Sequence, residues 1–127
     1  MLKSAFLGCG PRAKAHARAY QFVTKGRPVA ACDLNEQRLR QFGEQFGIER
    51  RYTDVHEMLE REQPDLLHIV TAPTLRVPLM AIASEHRVPV ALVEKPIAVQ
   101  GEDWRQLAAL QRATATRFLV NTQLHFH

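Results

Sequence analysis

The sequence has few cysteines and no long apolar run, and both shortages narrow what it can be. Only two cysteines, Cys9 and Cys32, occur in 127 residues, too few for the disulfide framework of a small secreted protein. No stretch approaches the roughly 18–20 apolar residues that span a bilayer, and the amino-terminal residues lack the pattern of a signal peptide. We therefore expect a cytoplasmic protein with reduced thiols and no membrane partner.

Clustered charge and metal-ligand spacing are also missing. The 17 Lys+Arg and 13 Asp+Glu residues give a formal net charge of +4, and the arginines are spread along the chain. A nucleic-acid-binding surface needs a clustered basic face, so we expect no nucleic-acid partner. The six histidines include no pair with convincing metal-ligand spacing, so we expect no metal site.

The sequence does contain a regular alternation of short apolar runs and amphipathic segments. Near-continuous apolar strands joined by helices predict a parallel sheet covered on both faces, and the right-handed crossover rule makes it doubly wound. We expect an α/β Rossmann fold with about six strands, as one domain over residues 1–127. The segments expected to contain strands are 2–7, 28–33, 48–52, 65–72, 89–95 and 117–126.

Local signals place several helix ends and buried faces. Asn35 is a suitable N-cap and Gly47 a suitable stop for a helix with apolar residues at spacings of three and four. The first helix is expected to run to near Gly26. In the last helix, the pattern predicts that Trp104 points inward.

A glycine turn between the first strand and the first helix carries the strongest functional signal. Gly8, Gly10 and Ala13 fit the G-x-G-x-x-G/A pattern in the strand-to-helix context that it requires. Gly8 permits the tight turn, Gly10 lets a pyrophosphate approach the backbone, and Ala13 keeps the helix close to the sheet. Pro11 suits the first helical position. The pattern predicts a dinucleotide site on the helix N-terminus, with a plain strand-to-helix turn as the alternative.

An acid ends the second strand at the distance expected for ribose recognition. Asp33 lies 20 residues past Ala13, where a carboxylate accepts hydrogen bonds from an adenosine ribose. It would repel a 2′-phosphate, so we expect NAD, with NADP possible because Arg12 could accommodate a phosphate. Arg12 could equally be a solvated side chain of the first helical turn.

Two further loops follow buried strands. Thr71, Ala72 and Pro73 follow the central strand and are expected to lie over the cofactor, with Thr74 as a possible helix N-cap.

Glu94, Lys95 and Pro96 end the fifth strand, where a charged pair points to a site because unpaired charges are costly to bury. A lysine there could hydrogen-bond the oxygen on which charge develops during hydride transfer. A strand-end ion pair followed by a turn proline is the alternative.

Together these motifs resemble the glucose–fructose oxidoreductase/inositol dehydrogenase/MocA-like (Gfo/Idh/MocA) oxidoreductases. The order that carries the likeness is the glycine turn with His16 three residues beyond it, then Asp33, TAPT at 71–74, VEKPIA at 93–98 and VNTQLHFH at 120–127. The likeness covers essentially the whole chain, with departures at Val77, at Arg87 or its neighbour His86, and at His125, where the family has other residues.

The resemblance implies an NAD(P)-dependent oxidoreductase that moves a hydride at a ring carbon of a sugar, cyclitol or related polyol. It implies that Lys95 is catalytic, that Glu94 borders the nicotinamide and that Gln123 lies near it. The family continues beyond HFH into an α+β substrate domain. We therefore expect that domain to be absent here, by excision or natural truncation, and this chain to be inactive alone.

An uncovered sheet face leads us to expect a homo-oligomer. The face that a missing domain would have covered exposes apolar surface, which favours association. Light scattering should show self-association, and a clean monomer at high concentration would contradict this expectation.

Two other functions stay open at this level. One is a non-catalytic NAD(P)-sensing module that binds a protein partner, although an intact Lys95 favours an enzyme origin. The other is a domain for another adenosine ligand, such as a methyl donor or coenzyme A, in which Glu94–Pro96 would have no role.

Overall fold

The computed structural model describes residues 1–94 and 101–121. They form one six-stranded sheet in which every pair of neighbouring strands is parallel. The strands are β1 (Leu2–Leu7), β2 (Gly26–Cys32), β3 (Arg50–Tyr52), β4 (Leu66–Ile69), β5 (Val90–Glu94) and β6 (Arg117–Asn121). The α-helices are α1 (Pro11–Ala19), α2 (Glu36–Phe46), α3 (Val55–Glu62), α4 (Arg76–Glu85) and α5 (Gly101–Ala113).

The strand order β3-β2-β1-β4-β5-β6 makes the fold doubly wound. The chain adds strands outward from β1 in one direction and then returns to add β4, β5 and β6 on the other side. Ligands of such sheets bind at the carboxyl ends of the strands, where the order reverses. That point lies between β1 and β4, so the predicted Rossmann fold is confirmed, and we expect a ligand to bind there.

Alternating strand residues divide the core between the two faces of the sheet. One buried cluster joins the sheet to α3 and α4, with Met58 and Met80 fully or nearly fully buried and Leu107 of α5 packed against it. The other joins the sheet to α1 and α2 around Phe6 and Phe42, both of which are fully buried. Helices on both faces therefore fix the sheet from either side.

The α1 face of the sheet also carries an open cavity. Register places Phe6, His68, Leu92 and Leu119 in one row across β1, β4, β5 and β6. His68 and Leu92 of this row line a cavity of about 530 Å³ beside α1. Leu119, at the end of the row, is 43% exposed, and self-association through such apolar surface stays a prediction.

The predicted ends of α2 are confirmed. The Asn35 side chain accepts a hydrogen bond from the Arg38 N–H at 3.0 Å, and Gly47 ends the helix in the left-handed conformation, with φ of +69°. Arg87, one of the two neighbouring residues at which the chain departs from the family before β5, also has a positive φ of +55°. A non-glycine residue pays about 1–2 kcal/mol for that conformation.

Three local predictions were wrong. The first α-helix ends at Ala19, and a 3-10 turn (Tyr20–Phe22) completes the path to β2. Trp104 is 63% exposed rather than inward, because Leu107 and Leu110 supply the buried stripe of α5. Thr74 is not a helix cap, since it lies inside a 3-10 turn (Pro73–Leu75) that precedes α4.

None of the helices within residues 1–94 and 101–121 has the length and apolar character to cross a membrane.

Candidate functional site

The glycine turn after β1 is locked against the strands on both sides of it. The Gly8 N–H donates to the Cys32 carbonyl at 2.8 Å, and Gly8 has a φ of +98°. A Cβ at Gly8 would lie 2.3 Å from the Val70 carbonyl oxygen, closer than any side chain can approach. Only glycine therefore allows the turn to pack on the end of β4, directly at the switch point.

Gly10 faces open space, in contrast to Gly8. A Cβ added at Gly10 would meet no atom within 4 Å, and its φ of −81° suits any residue. Nothing in the fold therefore requires a glycine here. The open side of the turn has the character of a cradle that a Cβ would partly fill, which fits a pyrophosphate approaching the backbone.

The N-terminus of α1 opens into this cradle. Pro11 occupies the first turn and no acidic residue accompanies it. Among the described side chains, none accepts a hydrogen bond from the N–H groups of Arg12 or Ala13. Free N–H groups and about half a positive charge at the helix start suit an anion. Ala13 is fully buried against the sheet, so it holds α1 close, as its position in the motif predicts.

Asp33 joins the glycine turn to the start of α2. Its carboxylate accepts hydrogen bonds from the N–H groups of Cys9 and Asn35, both at 2.9 Å. A carboxylate offers about four acceptor positions, so two remain for sugar hydroxyls. The sequence predicted the ribose role of Asp33, but gave no sign that the same side chain fixes the turn.

Arg38, rather than Arg12, is the guanidinium nearest this acid. Arg38 Nη1 lies 3.9 Å from Asp33 Oδ2. Arg12 instead lines the large cavity on the α1 face, with His16 and Glu94. A 2′-phosphate beside Asp33 would therefore meet Arg38, which the sequence reading missed although it falls in the first turn of α2.

A second cavity, of about 230 Å³, lies between the starts of α1 and α2. It is lined by Cys9, Gly10, Pro11, Lys14, Asn35, Gln37, Arg38 and Gln41. Its two cations, Lys14 and Arg38, give it the charge that phosphate oxygens prefer.

The loop after β4 is tied to the start of α4 by a buried arginine. The Thr71 carbonyl accepts from Arg76 Nε at 3.2 Å and from Nη2 at 2.9 Å. Arg76 is 6% exposed; burial lowers the pKa of its guanidinium, and attraction to Glu94 opposes that shift. Thr71, Ala72 and Pro73 follow β4 at the carboxyl edge of the sheet, and their contact with a cofactor stays a prediction.

Glu94 ends β5 as a buried carboxylate bound to a histidine of α1. Its Oε1 lies 2.5 Å from His16 Nε2, and the two side chains are only 2% and 9% exposed. His16 continues to His68, and His68 to Tyr20. Sequence reasoning named His16 only within the resemblance and missed His68 and Tyr20, since contact across three elements leaves no local pattern.

Three predicted site residues, Lys95, Pro96 and Gln123, lie outside the described residues. The structure places the others along the carboxyl edge of the sheet. Gly8, Gly10, Pro11, Arg12 and Ala13 lie after β1, Asp33 after β2, Thr71, Ala72 and Pro73 after β4, and Glu94 at the end of β5.

Neither cysteine is poised for chemistry. Cys9 and Cys32 are both free and buried. Burial, followed by the nearby Asp33 charge, raises the pKa of each thiol to about 12. A thiol that stays protonated is a poor nucleophile and metal ligand, so both act as small packing residues.

Known proteins match this chain over nearly its full length. The sequence profile of the Gfo/Idh/MocA group, described as an oxidoreductase family with an NAD-binding Rossmann fold, matches residues 2–122. A D-apiose dehydrogenase from Paraburkholderia graminis is 38% identical over 112 residues, which cover 87% of this chain and 30% of that enzyme. The glucose-6-phosphate 3-dehydrogenase of Bacillus subtilis is 27% identical, over 100% of this chain and 34% of that enzyme.

Solved structures show the same architecture. An oxidoreductase from Agrobacterium radiobacter, in complex with NAD+, L-tartaric acid and magnesium, superposes with a TM-score of 0.86 at 31% identity, over 97% of this chain and 36% of that chain. The myo-inositol 2-dehydrogenase of Lactobacillus plantarum superposes with a TM-score of 0.82 at 24% identity, over 94% of this chain and 35% of that one, and shows the fold alone.

The chain thus spans about a third of the length of these relatives. Because the profile match extends from β1 to β6, and because the glycine cradle lies at the switch point, the resemblance inferred from the motifs is confirmed. The chain belongs to the Gfo/Idh/MocA oxidoreductase family and represents its NAD-binding Rossmann fold.

Proposed function

We propose that residues 1–127 form the nucleotide-binding domain of a dehydrogenase that acts on a sugar, cyclitol or related polyol, with NAD as the preferred cofactor. The observation that carries the proposal is the glycine turn, packed on β4 at Gly8 and open at Gly10. The dehydrogenase names of the relatives favour this function over the nucleotide-sensing module.

Each part of the carboxyl edge has a role in the proposal. Gly10 and the first-turn N–H groups of α1, including that of Arg12, hold the pyrophosphate, and Asp33 accepts hydrogen bonds from the adenosine ribose. Thr71, Ala72 and Pro73 cover the nucleotide from the β4 side. The nicotinamide half then extends toward the end of β5, where Glu94 lies.

The bound nicotinamide supplies hydride acceptance from a carbon that bears a hydroxyl, or hydride return to the carbonyl. Lys95, next in the chain after Glu94, is the residue we assign to the substrate oxygen, where an ammonium stabilises developing negative charge. Pro96 and Gln123 complete the nicotinamide side. Positioning of the substrate requires a further domain, so we expect this chain to bind nucleotide without turnover. A homo-oligomer and a cytoplasmic location stay predictions.

Asp33→Ala tests the assignment of the ribose site and the preference for NAD. We expect the variant to bind NADH at least about tenfold more weakly, since hydrogen bonds to a charged group contribute about 1.5–3 kcal/mol. NADPH should be affected less, because the negative charge that repels its 2′-phosphate is removed. Fluorescence titration of both nucleotides on wild type and variant measures the change in their ratio.

The ratio of NADH affinity to NADPH affinity serves as an internal control for a loss of stability. Asp33→Ala leaves two backbone N–H groups without their acceptor, so some loss of stability is expected, and that loss would weaken both nucleotides equally. An unchanged ratio of NADH to NADPH affinity would show that Asp33 does not contact the ribose. Arg38→Ala is the matched variant, and it should weaken NADPH alone.

A further inference from the structure

Four polar side chains form one continuous line of hydrogen bonds on the α1 face of the sheet. His16 Nε2 lies 2.5 Å from Glu94 Oε1, and His16 Nδ1 lies 2.9 Å from His68 Nδ1. His68 Nε2 then lies 2.6 Å from the Tyr20 hydroxyl. We call this line the Tyr20–Glu94 relay. It joins β5, α1, β4 and the 3-10 turn that follows α1.

The middle of the relay is held neutral by burial. His68 is 4% exposed and stacks on Phe6 with ring centroids 4.4 Å apart. Burial, aided by the nearby His16, lowers the pKa of His68 to about 3. His68 therefore carries a single proton at neutral pH, on either Nδ1 or Nε2. Burial also raises the pKa of Tyr20, so its hydroxyl keeps a proton.

Counting protons gives the relay two states that differ by one proton. With a neutral His16 and a Glu94 carboxylate, every bond points toward Glu94: Tyr20 O–H donates to His68 Nε2, His68 Nδ1–H to His16 Nδ1, and His16 Nε2–H to the carboxylate. If His16 gains a proton, its Nδ1–H must donate to His68 Nδ1. His68 must then carry its proton on Nε2 and donate to Tyr20.

The second state forms by a balanced transfer along the line. A solvent proton binds the Tyr20 oxygen, the original Tyr20 proton passes to His68 Nε2, and the His68 Nδ1 proton passes to His16 Nδ1. Net charge rises by one, and no bond between heavy atoms changes. Tyr20, His68, His16 and Glu94 all line the open cavity on the α1 face, so this cavity is where the relay exchanges protons with solvent.

Cations surround the relay within the part of the chain that the structure describes. Arg12 and Lys25 line the same cavity, and Arg76 of α4 is attracted to Glu94. With Glu94 counted as a carboxylate and the added proton counted on His16, the four side chains have a net charge of −1 in one state and zero in the other.

We propose that Tyr20 and His68 are positioning residues that carry one proton to and from His16, the hydrogen-bond partner of Glu94, and so couple the charge beside the nicotinamide to pH. This inference rests on the proposed function. The oxidised nicotinamide ring is positively charged and the reduced ring is neutral. The state with net charge −1 therefore favours NAD+, and protonation of the relay removes that preference.

The direct test needs no nucleotide. In a chain with ¹⁵N-labelled histidine, the ring nitrogen shifts report which nitrogen carries the proton. We expect His68 to change from Nδ1–H to Nε2–H as the pH falls from about 9 to about 5, with the same midpoint as protonation of His16. The exposed His56–His86 pair, 2.8 Å apart, is the internal control. A single His68 tautomer throughout would overturn the relay.

The second test measures the coupling. The affinity of NAD+ relative to NADH should fall about five- to tenfold across that pH range in the wild type. His16→Gln, which can still donate to Glu94 but cannot titrate, should make the ratio independent of pH, whereas His86→Gln should leave the wild-type profile unchanged.

The outcomes separate the two proposals. If neither nucleotide binds at any pH, the proposed function fails and the coupling fails with it, while the tautomer measurement still decides the relay. If both bind with a flat ratio in the wild type, the coupling is wrong and the proposed function stands.

Discussion

Gly10→Ala is expected to keep the stability of the wild type and to lose most of its affinity for NADH. The added Cβ meets no protein atom within 4 Å, and the backbone at φ −81° already suits alanine. The free energy of unfolding should therefore change by less than about 0.5 kcal/mol. The methyl group would instead occupy the space through which the pyrophosphate approaches the backbone, and we expect an affinity loss of at least about tenfold, or ~1.4 kcal/mol.

Gly47→Ala is the matched control for this variant. Gly47 also faces open space, but it adopts a φ of +69° at the far end of α2. It should therefore lose about 1 kcal/mol of stability and keep its affinity for NADH. Thermal unfolding and NADH titration of both variants measure the two effects separately. Wild-type affinity in Gly10→Ala would place the pyrophosphate somewhere other than this turn.

Gly8→Ala is expected to be the most destabilising single substitution in the site. The variant forces a side chain into a φ of +98° and sets its Cβ 2.3 Å from the Val70 carbonyl oxygen. Strain of this kind and overpacking each cost about 1–3 kcal/mol. We expect a loss of roughly 2–5 kcal/mol and a decrease in Tm of roughly 10–20 °C, with loss of NADH binding as a consequence.

The comparison with Gly47→Ala isolates the clash. Both glycines have a positive φ, but only Gly8 has a close neighbour. The excess loss in Gly8→Ala, measured by chemical denaturation, is therefore the cost of separating the turn from β4 together with the greater backbone strain of a side chain at φ +98°. Equal losses in the two variants would show that the contact with Val70 relaxes freely.

Backbone features of the site could be predicted from the sequence because local rules govern them. A strand-to-helix glycine turn, a proline at the first helical position and an acid after the second strand are short-range signals, and they placed Gly8, Pro11 and Asp33 at the same edge of the sheet. The parallel order followed from apolar strands alternating with helices, with the crossover rule fixing the hand. The Asn35 and Gly47 ends of α2 followed in the same way.

Features that depend on tertiary packing could not be predicted in this way. His68 reads as one polar residue in an apolar strand, and only the sheet register brings it to Phe6 and His16. In the sequence, Arg76 has the pattern of an exposed arginine on a helix. Its burial and its two hydrogen bonds to the Thr71 carbonyl appear only in the structure. The inward orientation predicted for Trp104 was wrong, because the helical periodicity of apolar residues is also satisfied if the packed face of α5 begins one turn earlier than it does.

Asp33 shapes how nucleotide preference could be redesigned in this protein. Its carboxylate is bound by the N–H groups of Cys9 and Asn35, so replacing it in order to admit a phosphorylated ribose would also loosen the bend at which we propose that the diphosphate binds. A substitution of Asp33 that favours NADP would thus weaken the turn that both nucleotides use. Lys14 and Arg38, which already border the adjacent cavity, offer a route that leaves the scaffold intact.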